Sequence, residues 1–126
     1  MRFAGYAAVF DRPDSGGDVV RRGAFAETVK RVGEVPLLLQ HKGQPVGRIE
    51  HLSEDRRGLR VIAEVVDRRV RELVRRGLNG LSFGYRVRKA GAAGSLRELR
   101  ALDLVEVSLV ARPMQTLARI HAVERE

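Results

Sequence analysis

Apolar residues along the chain fall mostly in short runs, often alternating with polar residues, and this pattern predicts strands rather than long helices. The predicted strands lie at residues 3–10, 35–40, 45–52, 59–66, 81–88 and 102–111. A short element at 117–123 fits either a strand or a helix. Residues 35–40 are almost wholly apolar, which is typical of a strand buried on both faces.

Two short helices are predicted between these strands. Residues 24–32 bring their apolar side chains to one side of a helix, and residues 67–76 begin with Asp67, a residue type that favours the helix N-cap. Glycine-containing segments at 11–18 and 91–94 are predicted as loops. About seven strands and two helices in so short a chain indicate a mainly β fold with helices (α+β), built as a small closed or nearly closed β-barrel with the helices on its outside.

Length and composition fit one domain over residues 1–126. Hydrophobic residues make up 44% of the chain, enough for a modest core. The chain has no cysteine, which excludes disulfides and thiolate chemistry. No apolar run approaches the length needed to cross a bilayer, so no membrane partner is expected. No cluster of metal-ligand residues is visible, and we expect neither a metal nor a cofactor.

The net charge of +8 leaves two interpretations open. It favours either an acidic partner, such as nucleic acid or an acidic protein, or simply a soluble surface that repels its own kind. Five arginines crowd the predicted second helix: Arg68, Arg69, Arg71, Arg75 and Arg76. Aromatic residues make up only 5% of the chain, so stacking platforms for single strands are scarce. A small basic barrel that binds nucleic acid is therefore the less favoured alternative.

Ser82 lies between two glycines on one face of a predicted strand. Side chains alternate along a strand, so Ser82 shares its face with Gly80 and Gly84, while Leu81 and Phe83 point the other way. Another backbone can approach a serine that has no large neighbours, and a peptide-cleaving nucleophile needs such an approach. The motif differs from the Gly-x-Ser-x-Gly elbow of the α/β-hydrolases. Taken alone, such a serine is more often structural.

His41 follows the predicted buried strand 35–40, where the chain enters a loop. A strand end is a rigid mount for a general base, and imidazole is the side chain best suited to proton transfer near neutral pH. The alternative is a histidine that merely satisfies a loop backbone. His51 and His121 are the other histidines, but neither has a comparable position.

Glu106 is an acid among apolar residues in the middle of the predicted strand 102–111. Alternation places it on one face with Leu104, Ser108 and Val110. Burying a carboxylate is costly unless it is paired or hydrogen-bonded. The partner is either an imidazolium, as in a serine protease, or one of the many arginines across the sheet.

In this order, the three segments resemble the prohead protease family of HK97-type tailed phages, and the likeness extends from about residue 3 to residue 118. The matching segments are FAGYAAVF at 3–10, GDVV at 17–20 with RGAF at 22–25, LLQH at 38–41, PVG at 45–47, EDRRGL at 54–59, GLSFGY at 80–85 and LVEVSLV at 104–110, followed by Pro113. No single motif decides the matter, but so many in the right order are hard to obtain by chance.

The family is similar to the herpesvirus assemblin proteases, so the resemblance implies a small β-barrel wrapped by helices and a serine–histidine active site. Carried over to this chain, Ser82 is the nucleophile and His41 the general base. The herpesvirus relatives use a second histidine as third member. We choose Glu106 instead, because a buried acid on this strand must find a partner. Arg112, which follows the same strand, is the candidate for the oxyanion site by analogy with assemblin arginines.

The resemblance also implies a substrate and a place of action. Members cleave scaffold, or the scaffold-like N-terminal segment of the major capsid protein, inside the procapsid in the host bacterial cytoplasm, and they often cut themselves. Gene transfer agents use the same module. The herpesvirus relatives need a dimer for activity, so a homodimer stays open here. The main rival is a capsid-assembly protein that keeps this fold without chemistry.

Overall fold

The computed structural model describes residues 1–124, so the last two residues of the expected domain lie outside the described part. Within residues 1–124 the chain is mainly β, as predicted. The strands are β1 (Arg2–Val9), β2 (Asp18–Val20), β3 (Pro36–Leu39), β4 (Lys42–Glu54), β5 (Gly58–Val65), β6 (Gly80–Ala93), β7 (Leu96–Val110) and β8 (Ile120–Glu124). The helical elements are a 3-10 helix at Thr28–Glu34 and the α-helix α1 at Arg68–Arg75. No helix in this part of the chain is long and apolar enough to span a bilayer.

All these strands belong to one mixed sheet in the order β2-β7-β3-β4-β5-β1-β8, and β6 also pairs with β7. β6 runs antiparallel along almost the whole of β7 and so occupies one edge of that strand. β2 and β3 pair in parallel with β7, at residues 97–99 and 107–109 respectively. They therefore share the opposite edge of β7, which becomes the strand on which three others meet.

The expectation of a closed or nearly closed barrel is wrong, because the sheet is open. β6 and β8 would have to pair to close it, but the only bridge linking these two regions in the described chain joins Gly80 to Arg119. β8 forms its ladder with β1 instead. Helical cover is also small, since α1 has 8 residues and the 3-10 helix has 7. The structure is an open mixed sheet with few helices.

Two local predictions of secondary structure are wrong, and the predicted helix cap is confirmed. Residues 91–94 were expected to form a loop, but they extend β6 to Ala93, and the hairpin turns only afterwards. At 24–32 no α-helix forms, and the 3-10 helix is interrupted by non-helical angles at Arg31. The predicted cap of α1 is confirmed, because the Asp67 carboxylate accepts a hydrogen bond from the Val70 N–H at 3.0 Å.

The core packs against one face of the three strands β3, β7 and β6. Leu37 on β3, Leu109 on β7 and Leu81 on β6 are each completely buried. Since side chains alternate, the residues next to them point to the opposite face of the sheet. That second face carries the candidate site.

A β-bulge interrupts the β6–β7 ladder beside that face. Gly84 pairs with Glu106, but the next residue, Tyr85, pairs with Leu104, which leaves Val105 without a partner. The extra residue moves Leu104 into the core and leaves Val105 44% exposed. The expectation that Leu104 shares a face with Glu106 is therefore wrong, because a bulge reverses the alternation on which it depended.

Candidate active site

The β6–β7 register brings the two polar segments of the sequence side by side. Ser82 lies directly opposite Ser108, and Gly84 lies directly opposite Glu106. Residues opposite each other in an antiparallel pair present their side chains on the same face, with Cβ atoms about 5 Å apart. Ser82, Ser108 and Glu106 are therefore neighbours on the face that points away from the core.

His41 reaches this face from the other edge of β7. β3 pairs in parallel with β7, and after Leu39 the chain turns back into β4 through Gln40 and His41. Both turn residues adopt left-handed backbone angles, with φ of 54° at Gln40 and 64° at His41. This two-residue turn directs the imidazole back over β7 and towards Glu106.

His41 and Glu106 are in direct contact. His41 Nδ1 lies 2.5 Å from Glu106 Oε1, a hydrogen bond between a half-exposed imidazole and a carboxylate that is only 6% exposed. A carboxylate on Nδ1 fixes the tautomer in which Nε2 is free to accept a proton. Of the two partners left open by the sequence, the structure thus pairs Glu106 with a histidine rather than an arginine.

Ser108 connects the acid to the turn that carries the histidine. Its hydroxyl donates to Glu106 Oε2 at 2.5 Å and accepts from the backbone N–H of His41 at 3.0 Å. Both oxygens of the buried carboxylate therefore have partners, as a buried charge requires. Sequence reasoning placed Ser108 on the same face as Glu106 but gave it no role. The parallel β3–β7 pairing that joins it to His41 leaves no local signal.

Gly84 leaves the space that the Glu106 carboxylate occupies. A Cβ atom at residue 84 would lie 2.6 Å from Glu106 Oε1 and 3.1 Å from its Cγ. The glycine beside the serine thus makes room for the acid, a use that the sequence did not suggest.

Ser82 is 5% exposed, and its hydroxyl makes no hydrogen bond within residues 1–124. Ser82 thus lies on β6, next to the strand that carries Glu106, but it makes no hydrogen bond to His41. In a structure without substrate, catalytic hydrogen bonds are often long or unformed.

Arg112 stands apart from this cluster. It is exposed just beyond the end of β7, and in the described part of the chain its side chain forms no hydrogen bond or ion pair. Its preceding residue is tied to the turn, since the Ala111 N–H donates to Gln40 Oε1 at 2.7 Å. The other histidines, His51 and His121, are exposed, and His121 lies against the ring of Tyr6, with centroids 5.7 Å apart.

Several groups with shifted pKa values lie on or beside the hairpin beyond the bulge, away from the candidate site. The Asp18 carboxylate receives two hydrogen bonds from the Arg97 guanidinium and one from the Tyr85 hydroxyl. The hydrogen bonds from Arg97 hold the pKa of Asp18 below its ordinary value. Burial, together with the Asp18 charge, raises the pKa of Tyr85. Among residues 1–124, no group of three or more metal-ligand side chains comes together.

Comparison with known proteins identifies the family of the chain. The sequence profile of the caudovirus prohead serine proteases matches residues 1–126. The chain is 32% identical over 96 residues to the prohead protease of Enterobacteria phage HK97, an alignment that covers 69% of this chain and 43% of that protein. The chain thus spans less than half the length of this curated relative.

Among solved structures, the KSHV protease in complex with a hexapeptide phosphonate inhibitor superimposes with a TM-score of 0.63. The match covers 94% of this chain and 63% of that protein, at 15% identity, and so concerns the fold alone. The profile match over the whole chain shows the family: the chain belongs to the caudovirus prohead serine proteases.

Proposed function

We propose that the protein is a serine endopeptidase in which Ser82 is the nucleophile, His41 the general base and Glu106 the third member of the triad. The observation that carries this proposal is the 2.5 Å contact between His41 Nδ1 and a buried carboxylate, on the same sheet face as Ser82. A histidine paired with a buried acid beside a serine is the arrangement that activates a hydroxyl for attack on a carbonyl.

In the first step, Ser82 Oγ attacks the carbonyl carbon of the scissile peptide and gives its proton to His41 Nε2. Glu106 accepts the Nδ1 hydrogen bond throughout and stabilises the imidazolium that forms. His41 then passes the proton to the leaving amine, and the acyl-enzyme remains on Ser82. Water attacks this ester with His41 again as base, which releases the acid product and restores the serine.

The oxyanion that forms in both steps needs hydrogen-bond donors. Backbone N–H groups are the first donors. We assign Arg112 as a further donor, because it follows β7 at the end of the sheet nearest the His41 turn. The exposed side chain is free to move towards a bound substrate. Each oxyanion donor contributes about 3 kcal/mol to transition-state stabilisation.

The substrate that we propose is scaffold, or the scaffold-like N-terminal segment of the major capsid protein, cut during procapsid maturation, with self-cleavage as a second reaction. This proposal rests on membership in the family and on the HK97 prohead protease as a relative. Residues 1–126 act as one domain, inside the procapsid and in the cytoplasm of the bacterial host.

Co-expression of the chain with its major capsid protein tests the proposal. Mass spectrometry should find trimmed capsid protein with the wild type and none with Ser82→Ala or His41→Ala. Ser95→Ala is the matched control, because Ser95 is an exposed serine on the turn of the same hairpin. Trimming that persists in Ser82→Ala would show that another residue is the nucleophile.

The alternative, a capsid-assembly protein without chemistry, gives a different result in the same experiment. The wild type would then assemble with the capsid protein and leave it at full length. A fluorophosphonate, which reacts with activated serines, would also leave the wild type unlabelled. Labelling of Ser82 in the wild type and its loss in His41→Ala excludes this alternative.

A further inference from the structure

The turn that carries His41 has an unusual composition for its geometry. Leu39 pairs with Lys42, so Gln40 and His41 form a two-residue hairpin turn with both residues at positive φ. Turns of this kind favour Asn and Gly, because left-handed angles crowd the Cβ of other residues. Neither residue here is glycine, and the turn is therefore held by contacts outside itself.

Those contacts all come from the end of β7. The Gln40 N–H donates to the Leu109 carbonyl at 2.9 Å, and the His41 N–H donates to the Ser108 hydroxyl at 3.0 Å. The Gln40 side-chain oxygen accepts from the Ala111 N–H at 2.7 Å. Gln40 thus makes hydrogen bonds to both residues that flank Val110.

This pattern continues the parallel ladder by one step. β3 and β7 pair in register up to Leu39 and Leu109, so the next pair would be Gln40 and Val110. In a parallel ladder, a residue donates to the residue before its partner and accepts from the residue after it. Gln40 does both, but its side-chain oxygen Oε1 accepts in place of its own backbone carbonyl.

We propose that Gln40 is a positioning residue: its side-chain amide replaces the backbone carbonyl in the ladder, which frees the chain to turn at this point and aim His41 at Glu106. The same bond ties the His41 turn to Ala111, the neighbour of Arg112, so the base and the oxyanion segment keep a fixed spacing. The catalytic part of this inference rests on the proposed function.

Three variants of Gln40 separate the contribution of its side-chain acceptor from that of its positive φ. Gln40→Met keeps the length of the side chain but has no acceptor, whereas Gln40→Glu keeps an acceptor at nearly the same place. Gln40→Gly removes the crowding at positive φ together with the acceptor. The matched control is Gln44→Met, an exposed glutamine on the same hairpin.

The rate of Ser82 labelling by a fluorophosphonate is the first measurement, with thermal unfolding recorded for each variant. We expect labelling to slow about tenfold in Gln40→Met and Gln40→Gly, and to stay within about threefold of wild type in Gln40→Glu and Gln44→Met. A wild-type rate of labelling in Gln40→Met or in Gln40→Gly would overturn the proposal.

NMR gives a measurement that does not depend on activity. In Gln40→Met, the Ala111 amide should exchange faster with solvent, and the downfield proton of the His41–Glu106 hydrogen bond should weaken; Gln40→Glu should keep both signals. If both signals are unchanged in Gln40→Met, Gln40 does not position the turn. A wild type that fluorophosphonate does not label refutes the proposed function, and these signals still decide the role of Gln40.

Discussion

The two ends of the β6–β7 hairpin use the same ladder in different ways. At the site end, residues 80–84 face 106–110, and a serine, a carboxylate and a second serine are all buried there. At the distal end, residues 85–93 face 96–104, and the charged side chains form ion pairs at the surface. The Val105 bulge lies between the two ends.

The two ends differ in how firmly the surroundings hold their polar groups in position. Surface ion pairs are solvated and contribute little, about 0–1 kcal/mol each. A buried carboxylate must be satisfied completely, and its partners are fixed in position as a result. The site end therefore offers an oriented acid–base pair, whereas the distal end offers only modest stability. Paired substitutions at the two ends test this contrast.

The largest contrast is expected between the two glutamates Glu106 and Glu98. Glu106→Gln replaces the acceptor of the His41 Nδ1 hydrogen bond with a group that can favour the wrong tautomer, so the rate of Ser82 labelling should fall about 10³-fold or more. Glu98→Gln at the distal end removes ion pairs to Arg21 and Arg100 and should leave that rate unchanged. Equal rates in the two variants would remove Glu106 from the triad.

Two glycines provide the next contrast. Gly84→Ala places a Cβ 2.6 Å from Glu106 Oε1, so the carboxylate must leave its position on His41, and labelling should slow about a hundredfold. At Gly91 the new Cβ would meet the guanidinium of Arg100, the mobile end of a half-exposed side chain. Gly91→Ala should therefore keep the wild-type rate, and a comparable loss in both variants would point to general damage to the hairpin.

A smaller effect is expected from Ser108→Ala. The change removes the partner of Glu106 Oε2 and the acceptor of the His41 N–H, but it leaves the contact between His41 and Glu106 in place. We expect labelling to slow about tenfold and the free energy of unfolding to fall by about 1–3 kcal/mol, as measured in urea. Wild-type values for both quantities would show that the hydroxyl has no positioning role.

The smallest effect concerns pH and the distal end. Arg97 lowers the folded-state pKa of Asp18, so this contribution to stability is full above the unfolded pKa and is lost as the pH falls through the folded pKa. Asp18→Asn should remove about 1 kcal/mol or less at neutral pH, and the difference from wild type should shrink on acidification. Urea unfolding from pH 6 to pH 3 measures it. A constant difference would assign the loss to packing.

Much of the site prediction followed from the alternation of side chains between the two faces of a strand. It placed Ser82 on the face away from Leu81 and Glu106 on the face of Ser108, and the ladder from residue 80 to 84 is regular enough for this to hold. The same rule failed at Leu104, because a bulge at Val105 adds one residue that no local pattern predicts. The loop predicted at residues 91–94 from their glycines was also wrong, because pairing with β7 outweighs the weak strand propensity of glycine and alanine.

The features that the sequence could not supply depend on contacts between distant segments. The roles of Ser108 and Gln40 follow from the parallel pairing of β3 with β7, and residues this far apart in the chain show no common periodicity. Closure of the barrel was inferred from the number of strands and from the family resemblance. Whether a sheet closes depends on the pairing of its last strands, and here β8 pairs with β1.

The parallel pairing of β3 with β7 also has a consequence for timing. His41 and Glu106 are 65 residues apart in the chain, so their contact depends on the pairing of two distant segments. Such non-local pairing is slow compared with the formation of a hairpin. On the proposed roles, Ser82 has no activated base in a nascent or partly folded chain. On those roles, we expect the chain to become able to cut a substrate only once β3 has paired with β7.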